Sequence, residues 1–590
     1  MNMKGIFISS LIALFTFPAT AQQVAQLPQG SYQELTDTKP IDTQAWNEIS
    51  AATHVTWGTT DVRYNKTNVP HIKKATQWSA TAWKGERINA QAVVWSKEPV
   101  ANITVKVSDL KGPKGALIPA SAIKTNRVGY VMTDELNKDK KGTCGHRPNV
   151  ADWDSSLVAD VLDIAPIAQL AARTVQPFWM NVWVPQATPA GNYTGTFTVS
   201  AGDKIIETLK IKLKVLNRTL PAPHDWAFHL DLWQNPFADA RYNDVPLWSD
   251  AHLEAMRPTM QILADAGQKI ITTSVMHRPW GGQTEDYFAT MVNRTKKIDG
   301  SWSFDYDVFD KWVSFMLSLG IDKQINCYSL IPWKLSFQYY DQASDQLKSI
   351  QTKPGEAAYN EYWGEFLVSF AQHLKAKGWW DITTIGVDER PMKQMQEVIK
   401  LIRKADPTYK ISLAGLYHPE IEADLQDYSI PYGHNFPKEI KAKRDSQGKT
   451  STFYTCCTEP YPNGFTFSPP AESAWLGWYT AASEYDGYLR WAYNSWTKDP
   501  LRDSRFRSFG AGDCYLVYPN GRSSIRMERM VEGFQDFEKI QLLRTEFTAK
   551  GDKRKLTKLN KLVESFTHET LTEQGASKML INARTVLNSL

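Results

Sequence analysis

A chain of 590 residues, with 67 basic and 63 acidic side chains and 42% hydrophobic content, is long enough to fold around two or more cores. Its net charge of +4 is spread without a long basic run, which excludes a nucleic-acid partner, and after the N-terminal leader no stretch reaches the ~18 consecutive apolar residues of a membrane span. Its five cysteines form no C-x-x-C pair, and neither H-E-x-x-H nor a glycine-rich phosphate loop occurs, so no metal site and no cofactor are expected.

In chain order, the first element is an export signal. Lys4 supplies the positive start, residues 5–17 form a short apolar run, and Ala19-Thr20-Ala21 is a small-residue cleavage site. The mature chain is therefore expected in a periplasmic or extracellular setting. Up to about residue 220 the pattern is that of strands. Residues 103–107 and 209–215 alternate with period two, and Pro185, Pro189 and Gly191 punctuate the runs. Half-buried strands of this kind imply a β-sandwich. The stretch 220–224, with Pro221 and Pro223, resists regular structure and reads as a linker.

Beyond the linker, short apolar strands alternate with amphipathic helical stretches. The strands are expected at 226–233, 269–277, 324–333, 382–389, 410–417, 429–435, 451–457 and 487–496. Helices are expected at 252–266, 308–319, 359–377, 392–404 and 472–483. Eight β-then-α units predict a (β/α)8 barrel. The sixth is the weakest, because 429–435 contains Pro431 and Gly433. The predicted fold is thus multidomain, β plus α/β. A signal (1–21) precedes a β-sandwich (22–220), a (β/α)8 TIM barrel (221–545) and a helical C-terminal tail (546–590).

In such a barrel the chemistry lies at the carboxyl ends of the strands. Those ends carry Asp231 and Trp233, Trp333, Asp388 and Glu389, Tyr417, and Asn494 and Trp496. Acids, aromatics and amides on one face suit a polar ligand with ring faces, which describes a sugar. Asp388 and Glu389 are the informative pair, because they close an apolar run, 382–387, and two buried acids are costly without a task. Two structural roles compete: Glu389 paired with Arg390, and Asp388 capping a helix that begins near Pro391.

Glycoside hydrolysis needs a proton donor for the leaving oxygen and stabilisation of an oxocarbenium-like state. Glu389 with Glu459 would give the two-carboxylate retaining design. An adjacent Asp-Glu pair instead suits substrate assistance. There the sugar's own 2-acetamido oxygen attacks the anomeric carbon, Asp388 orients the amide and stabilises the oxazolinium, and Glu389 serves as acid, then base. A third reading is a non-catalytic carbohydrate-binding protein, which strand-end aromatics would serve equally well.

The stretch Thr384-Ile-Gly-Val-Asp-Glu-Arg390, together with Gly512-Asp513-Cys-Tyr-Leu-Val-Tyr518-Pro519, Ser524-Ile525-Arg526 and Glu532-Gly533, resembles glycoside hydrolase family 123. The order of segments agrees from about residue 30 to 545. The resemblance implies a β-sandwich ahead of a (β/α)8 barrel, and exo-acting, retaining, substrate-assisted release of terminal β-linked N-acetylgalactosamine. It implies glycosphingolipid-type glycans as the source, and Asp388 and Glu389 as the catalytic pair. The galacto preference rests on the resemblance alone. Six residues are expected to bind substrate. Asp231 and Trp233 would hold hydroxyls or stack, Trp333 would face the sugar, and Tyr417 would donate to the acetamido oxygen. Asn494 would bond a hydroxyl and Trp496 would wall the acetamido pocket, on the premise that 490, 492, 494 and 496 share a strand face. The expected partner is a glycan ending in an N-acetylhexosamine. His277 and His418 are expected to be structural.

Overall fold

The computed structural model describes residues 32–134, 155–164 and 169–590. The N-terminal region is a two-sheet sandwich. Thr53–Trp57, Arg87–Ser96, Thr174–Trp183, Ile123–Thr133 and Ser156–Asp163 lie side by side in the first sheet. Gln77–Lys84, Lys204–Thr219 and Gly191–Ala201 dominate the second. Alternate residues of Lys204–Thr219, among them Leu209, Ile211, Leu213 and Val215, turn inward against Trp57, Phe178, Met180 and Val182. That is the period-two pattern of the sequence, with the lysines facing water. Thr174–Trp183 is buried along almost its whole length, because its other face is covered too, with Trp179 packed beside Ile525 of the second domain.

The expected barrel is present. Its eight parallel strands are, in chain order, His229–Leu232, Ile270–Ser274, Gln324–Tyr328, Thr383–Asp388, Lys410–Ala414, Leu425–Pro431, Thr450–Tyr454 and Gly487–Arg490. The ring closes between the first and second strands partly through side chains. The Gln234 amide donates to the Ile270 carbonyl (3.2 Å) and accepts from the Thr272 N–H (2.9 Å), while Gln268 accepts from the Leu232 N–H (3.0 Å). These amides replace ladder bonds that the backbones do not make, so buried polar groups stay satisfied. Helices Asp250–Ala264, Asp307–Ser318, Ala357–Lys377, Met392–Ala405, Lys438–Ser446, Pro470–Ala482 and Ile525–Ala549 pack outside. Three further helices, Lys553–Glu564, His568–Gln574 and Ala576–Leu587, follow.

Four features depart from the sequence expectation. The sixth strand begins at Leu425, four residues early, and ends at Pro431, with Gly433 in the turn at positive φ. Asp427 interrupts its apolar pattern because it faces the polar lumen, where the Gln324 amide donates to it at 2.9 Å. The fifth strand is followed only by a short 3-10 turn, Glu422–Asp424. The eighth strand ends at Arg490, well short of residue 496. The loops after the second and third strands carry hairpins, Asn293–Lys296 with Trp302–Asp305 and Ser336–Asp341 with Gln346–Gln351, which join into one four-stranded sheet. Asn293–Lys296 and Gln346–Gln351 are polar with no apolar alternation, and the alternation in Trp302–Asp305 and Ser336–Asp341 is too short to read.

The two domains are tied through a buried ion cluster. Asp160 of the sandwich accepts from Arg63 (2.8 Å), Arg526 (2.9 Å) and the Tyr518 hydroxyl (2.7 Å). Burial alone would raise the Asp160 pKa, but Arg526 and Arg63 outweigh it and hold the carboxyl below its usual value. Ser523–Ser524 also adds a short strand to the first sandwich sheet, against Ser156–Asp163. The 512–533 stretch thus joins the domains: Asp513 bridges Arg490 (2.7 Å) and the Trp491 indole (3.0 Å), and Tyr518 and Arg526 grip Asp160. No helix among the described residues is long and apolar enough to cross a membrane. The export signal lies outside the described residues.

Candidate active site

Along the fourth strand, Thr384, Gly386 and Asp388 face the lumen, while Ile385 and Val387 enter the hydrophobic core. The Thr384 hydroxyl donates to the Asn326 side-chain amide oxygen, Oδ1, at 3.1 Å, and the Ser412 hydroxyl donates to the same atom at 2.6 Å. Asn326 in turn donates to the Tyr328 hydroxyl at 2.8 Å. Gly386 is required at its level: a Cβ there would lie 2.7 Å from the Tyr328 ring. The missing side chain lets Tyr328 lie across the lumen just below Asp388.

The Asp388 carboxyl therefore sits at the top of a polar lumen, walled by aromatic rings. Trp233 packs against Tyr328 (4.5 Å between centroids) and Trp280 (5.1 Å). Burial raises the Asp388 pKa to about 6, against the opposing pull of Ser329, Arg390 and Trp280. Asp388 Oδ2, the Ser329 hydroxyl and the Trp280 indole N–H are buried facing one another, but none reaches a partner at ordinary hydrogen-bond geometry. Polar atoms so loosely matched in one buried niche are costly, and a polar group placed among them would satisfy them better.

Glu389 follows after the strand has ended, so strict alternation no longer applies. Its carboxylate crosses to the loop after the fifth strand, accepting from the Leu416 N–H at 3.2 Å and lying 3.1 Å from His418 Nε2. Gly415 makes this possible, since a Cβ there would stand 2.9 Å from Glu389 Cβ and Oε2. Neither competing structural role holds. Arg390 donates to the Glu389 backbone carbonyl and to the Pro332 carbonyl (3.4 Å), and the helix Met392–Ala405 starts at Pro391 with no side-chain cap.

The remaining sequence expectations divide. Trp233 lines the aromatic wall beside Asp388. Asp231 lies beneath it, accepting from the Trp233 indole at 3.1 Å, and is almost fully buried. Burial, reinforced by Asp427, pushes its pKa up to about 8. One Asp231 oxygen supports the Trp233 ring from below, while the other, Oδ1, is buried with no hydrogen-bond partner. Trp333 stands at the rim, 63% exposed, with the Arg390 guanidinium 4.4 Å from its ring. Tyr417 is turned elsewhere: it packs against Tyr428 and Phe436, and its charged neighbours are Glu422, Glu439, Arg444 and Glu420, not the acidic pair.

Asn494 and Trp496 are fully buried. Asn494 accepts from the Asn235 N–H (2.8 Å) and donates to the Asn235 carbonyl (3.0 Å) and Asp239 (2.7 Å), leaving nothing for a ligand. Trp496 donates to the Val517 carbonyl at 2.8 Å and sits in a separate core cluster with Val131, Ala238 and Tyr515. Both expectations fail because the strand stops at Arg490, so period two does not carry to 494 and 496.

Sequence reasoning missed four residues of the mouth: Trp280, Ser329, Tyr454 and the direct role of His418. Tyr454 ends the seventh strand, and burial with Cys456, Glu389 and Glu459 nearby raises its pKa. Its position at a strand end was a usable signal, as was that of Trp280, which follows the second strand. Ser329 had none, being an unremarkable residue beside an apolar run. Glu459 is held within its own turn by the Cys456 N–H and the Thr458 hydroxyl, each at 2.6 Å. Cys457 is disulfide-bonded, while Cys327, Cys456 and Cys514 are free thiols.

A (β/α)8 barrel with a carboxylate pair at the carboxyl end of its fourth strand, aromatic walls and an exposed rim tryptophan has the make-up of a glycoside hydrolase acting on a glycan. Residues 233–543 match the model of the glycoside hydrolase 123 catalytic domain, and residues 57–201 match that of the glycoside hydrolase 123 N-terminal domain. The chain belongs to glycoside hydrolase family 123. It is similar to a family 123 glycoside hydrolase from Clostridium perfringens, analysed for the details of glycolipid glycan hydrolysis. That similarity is 25% identity over 91% of this chain and 97% of that one, with a TM-score of 0.81. A family 39 glycoside hydrolase from Bacteroides cellulosilyticus is far less similar, at 13% identity over 69% of this chain and 77% of that one and a TM-score of 0.31. No curated protein matches the chain.

Proposed function

We propose that this glycoside hydrolase is an exo-acting, retaining β-N-acetylgalactosaminidase that works by substrate assistance. The observation that carries the reading is the niche at Asp388. A buried carboxylate oxygen, only loosely matched by the hydroxyl and indole N–H that face it, suits an amide group that both donates and accepts. The rings of Trp233, Trp280 and Tyr328 would enclose the acetamido methyl. Asp388 accepts the amide N–H and turns the amide oxygen towards the anomeric carbon. Glu389 gives its proton to the glycosidic oxygen as that bond breaks, and the amide oxygen forms the new bond, leaving an oxazolinium stabilised by Asp388. Water then attacks the anomeric carbon as its bond to the amide oxygen breaks and the acetamido group re-forms, Glu389 takes the water's proton, and the second inversion restores the β configuration.

Holding the nucleophile inside the substrate supplies the proximity that a separate protein carboxylate would otherwise provide. A two-carboxylate design with Glu459 as nucleophile is less well supported, because both Glu459 oxygens are engaged within its own turn. The galacto preference rests on the resemblance read from the sequence, and a glycolipid-type glycan source on the clostridial relative. The export-signal pattern at 1–21 supports work in the periplasm or the extracellular space. The test is a pair of inhibitors. A thiazoline analogue of N-acetylgalactosamine should inhibit competitively, and a 2-deoxy-2-fluoro galactoside should not label the protein. Stoichiometric trapping of Glu459 by the fluoro sugar, with no thiazoline inhibition, would overturn the mechanism.

A further inference from the structure

The loops after the second and third barrel strands enclose a cavity of about 410 Å³, lined by His277, Arg278, Gly281, Lys334 and Gln338 among others. It adjoins the acidic pair through two residues. Trp280, whose indole faces Asp388, lies between Arg278 and Gly281. Trp333, which carries the Arg390 guanidinium on its ring, directly precedes Lys334. The Trp333 N–H also donates to the Pro279 carbonyl (3.4 Å), tying the two loops together.

Among the described residues, no carboxylate lines this cavity. The two acids of the nearer loop are spent elsewhere: Asp286 on Arg241 at 2.6 Å, and Glu285 on Arg507 at 3.2 Å. Among the described residues, neither Arg278 nor Lys334 has an acidic partner. The Arg278 guanidinium is held 3.6 Å from the Tyr287 ring centroid, which fixes its plane and leaves its N–H groups free. Two unpaired cations in a cleft at a barrel mouth attract and orient an anion.

We infer that this cavity is a subsite for an acidic sugar, carrying a carboxylate or a sulfate ester, in the leaving portion of the glycan. The inference rests on the proposed cleavage at Asp388 and Glu389 and names the substrate class of that site. Trp333 supplies a stacking face, Arg278 a forked donor, Lys334 a point charge, and Gln338 an amide for hydroxyls.

The test uses the full chain and synthetic disaccharides in which N-acetylgalactosamine is β-linked to a neutral, a carboxylated or a sulfated sugar. The ratio of kcat/KM for acidic over neutral leaving sugars is expected to be roughly fivefold or more at low ionic strength, falling as salt rises. The double variant Arg278→Ala, Lys334→Ala should bring that ratio to about one, while Arg278→Lys, Lys334→Arg should keep most of it. Preference for one acidic arm over the other identifies the anion. A ratio of one in the wild type, or a ratio unchanged in the double alanine variant, overturns the inference. Hydrolysis of nitrophenyl N-acetyl-β-galactosaminide is measured alongside: turnover with no acidic preference removes the subsite alone, and no turnover removes the cleavage reading and the subsite with it.

Discussion

Replacing Asp388 by Asn should make the protein more stable while disabling it. The wild-type carboxyl has its pKa raised from 3.8 to about 6 by burial. Between those values the folded chain holds a proton that the unfolded chain has released, so stability falls as pH rises through that window. Above about pH 6 the full penalty of an ionised buried carboxylate applies, which amounts to about 3 kcal/mol. An asparagine carries no charge and still offers an oxygen to Ser329 and Trp280. At pH 7.5 the variant is therefore expected to gain up to about 3 kcal/mol, or a few degrees in Tm. The gain should halve near pH 5 and vanish below the unfolded pKa of 3.8. Thermal and denaturant unfolding of both proteins across pH 4 to 8 measures it. A variant less stable than wild type at pH 7.5, or a gain that does not shrink on acidification, would refute the reasoning. The same carboxyl must be ionised to stabilise an oxazolinium, so wild-type kcat/KM should fall tenfold per pH unit below about pH 6.

Three further outcomes are expected. His418→Ala removes the imidazole beside Glu389 and should lower kcat roughly tenfold with little change in KM; an unaltered pH–rate profile and kcat would leave His418 a bystander. Gly415→Ala pushes a methyl against Glu389 and should cost on the order of 100-fold in kcat with Tm nearly unchanged, read by steady-state kinetics and calorimetry. Asp160→Ala strips the buried Arg526 and Arg63 of their shared counter-ion and should destabilise the protein by about 3–5 kcal/mol. Calorimetry should then resolve sandwich and barrel as separate transitions where the wild type shows coupled ones.

The barrel was legible because seven of its strands are compact apolar runs set between amphipathic helices. The sixth was misplaced because Asp427, an inward residue satisfied by Gln324, masquerades as a break. The two hairpins above the mouth were hidden by polar composition, since Asn293–Lys296 and Gln346–Gln351 read as loops. At the site, the acidic pair announced itself through the cost of placing two carboxylates at the end of a buried strand. Loop residues could not be assigned by periodicity once a strand had ended. Hence Asn494 and Trp496 were given to the mouth but are core. Tyr417 was preferred to His418, one residue on, although the imidazole is the one that reaches Glu389.

The most direct test of the account is hydrolysis of two nitrophenyl β-galactosides that differ only at carbon 2, one bearing an acetamido group and one a hydroxyl, by the wild type and by Asp388→Asn. Rapid release from the acetamido sugar by the wild type alone, with the hydroxyl sugar inert, is the predicted result. Comparable turnover of both sugars, or full activity in the Asp388 variant, would contradict a mechanism in which the substrate's own amide is the nucleophile.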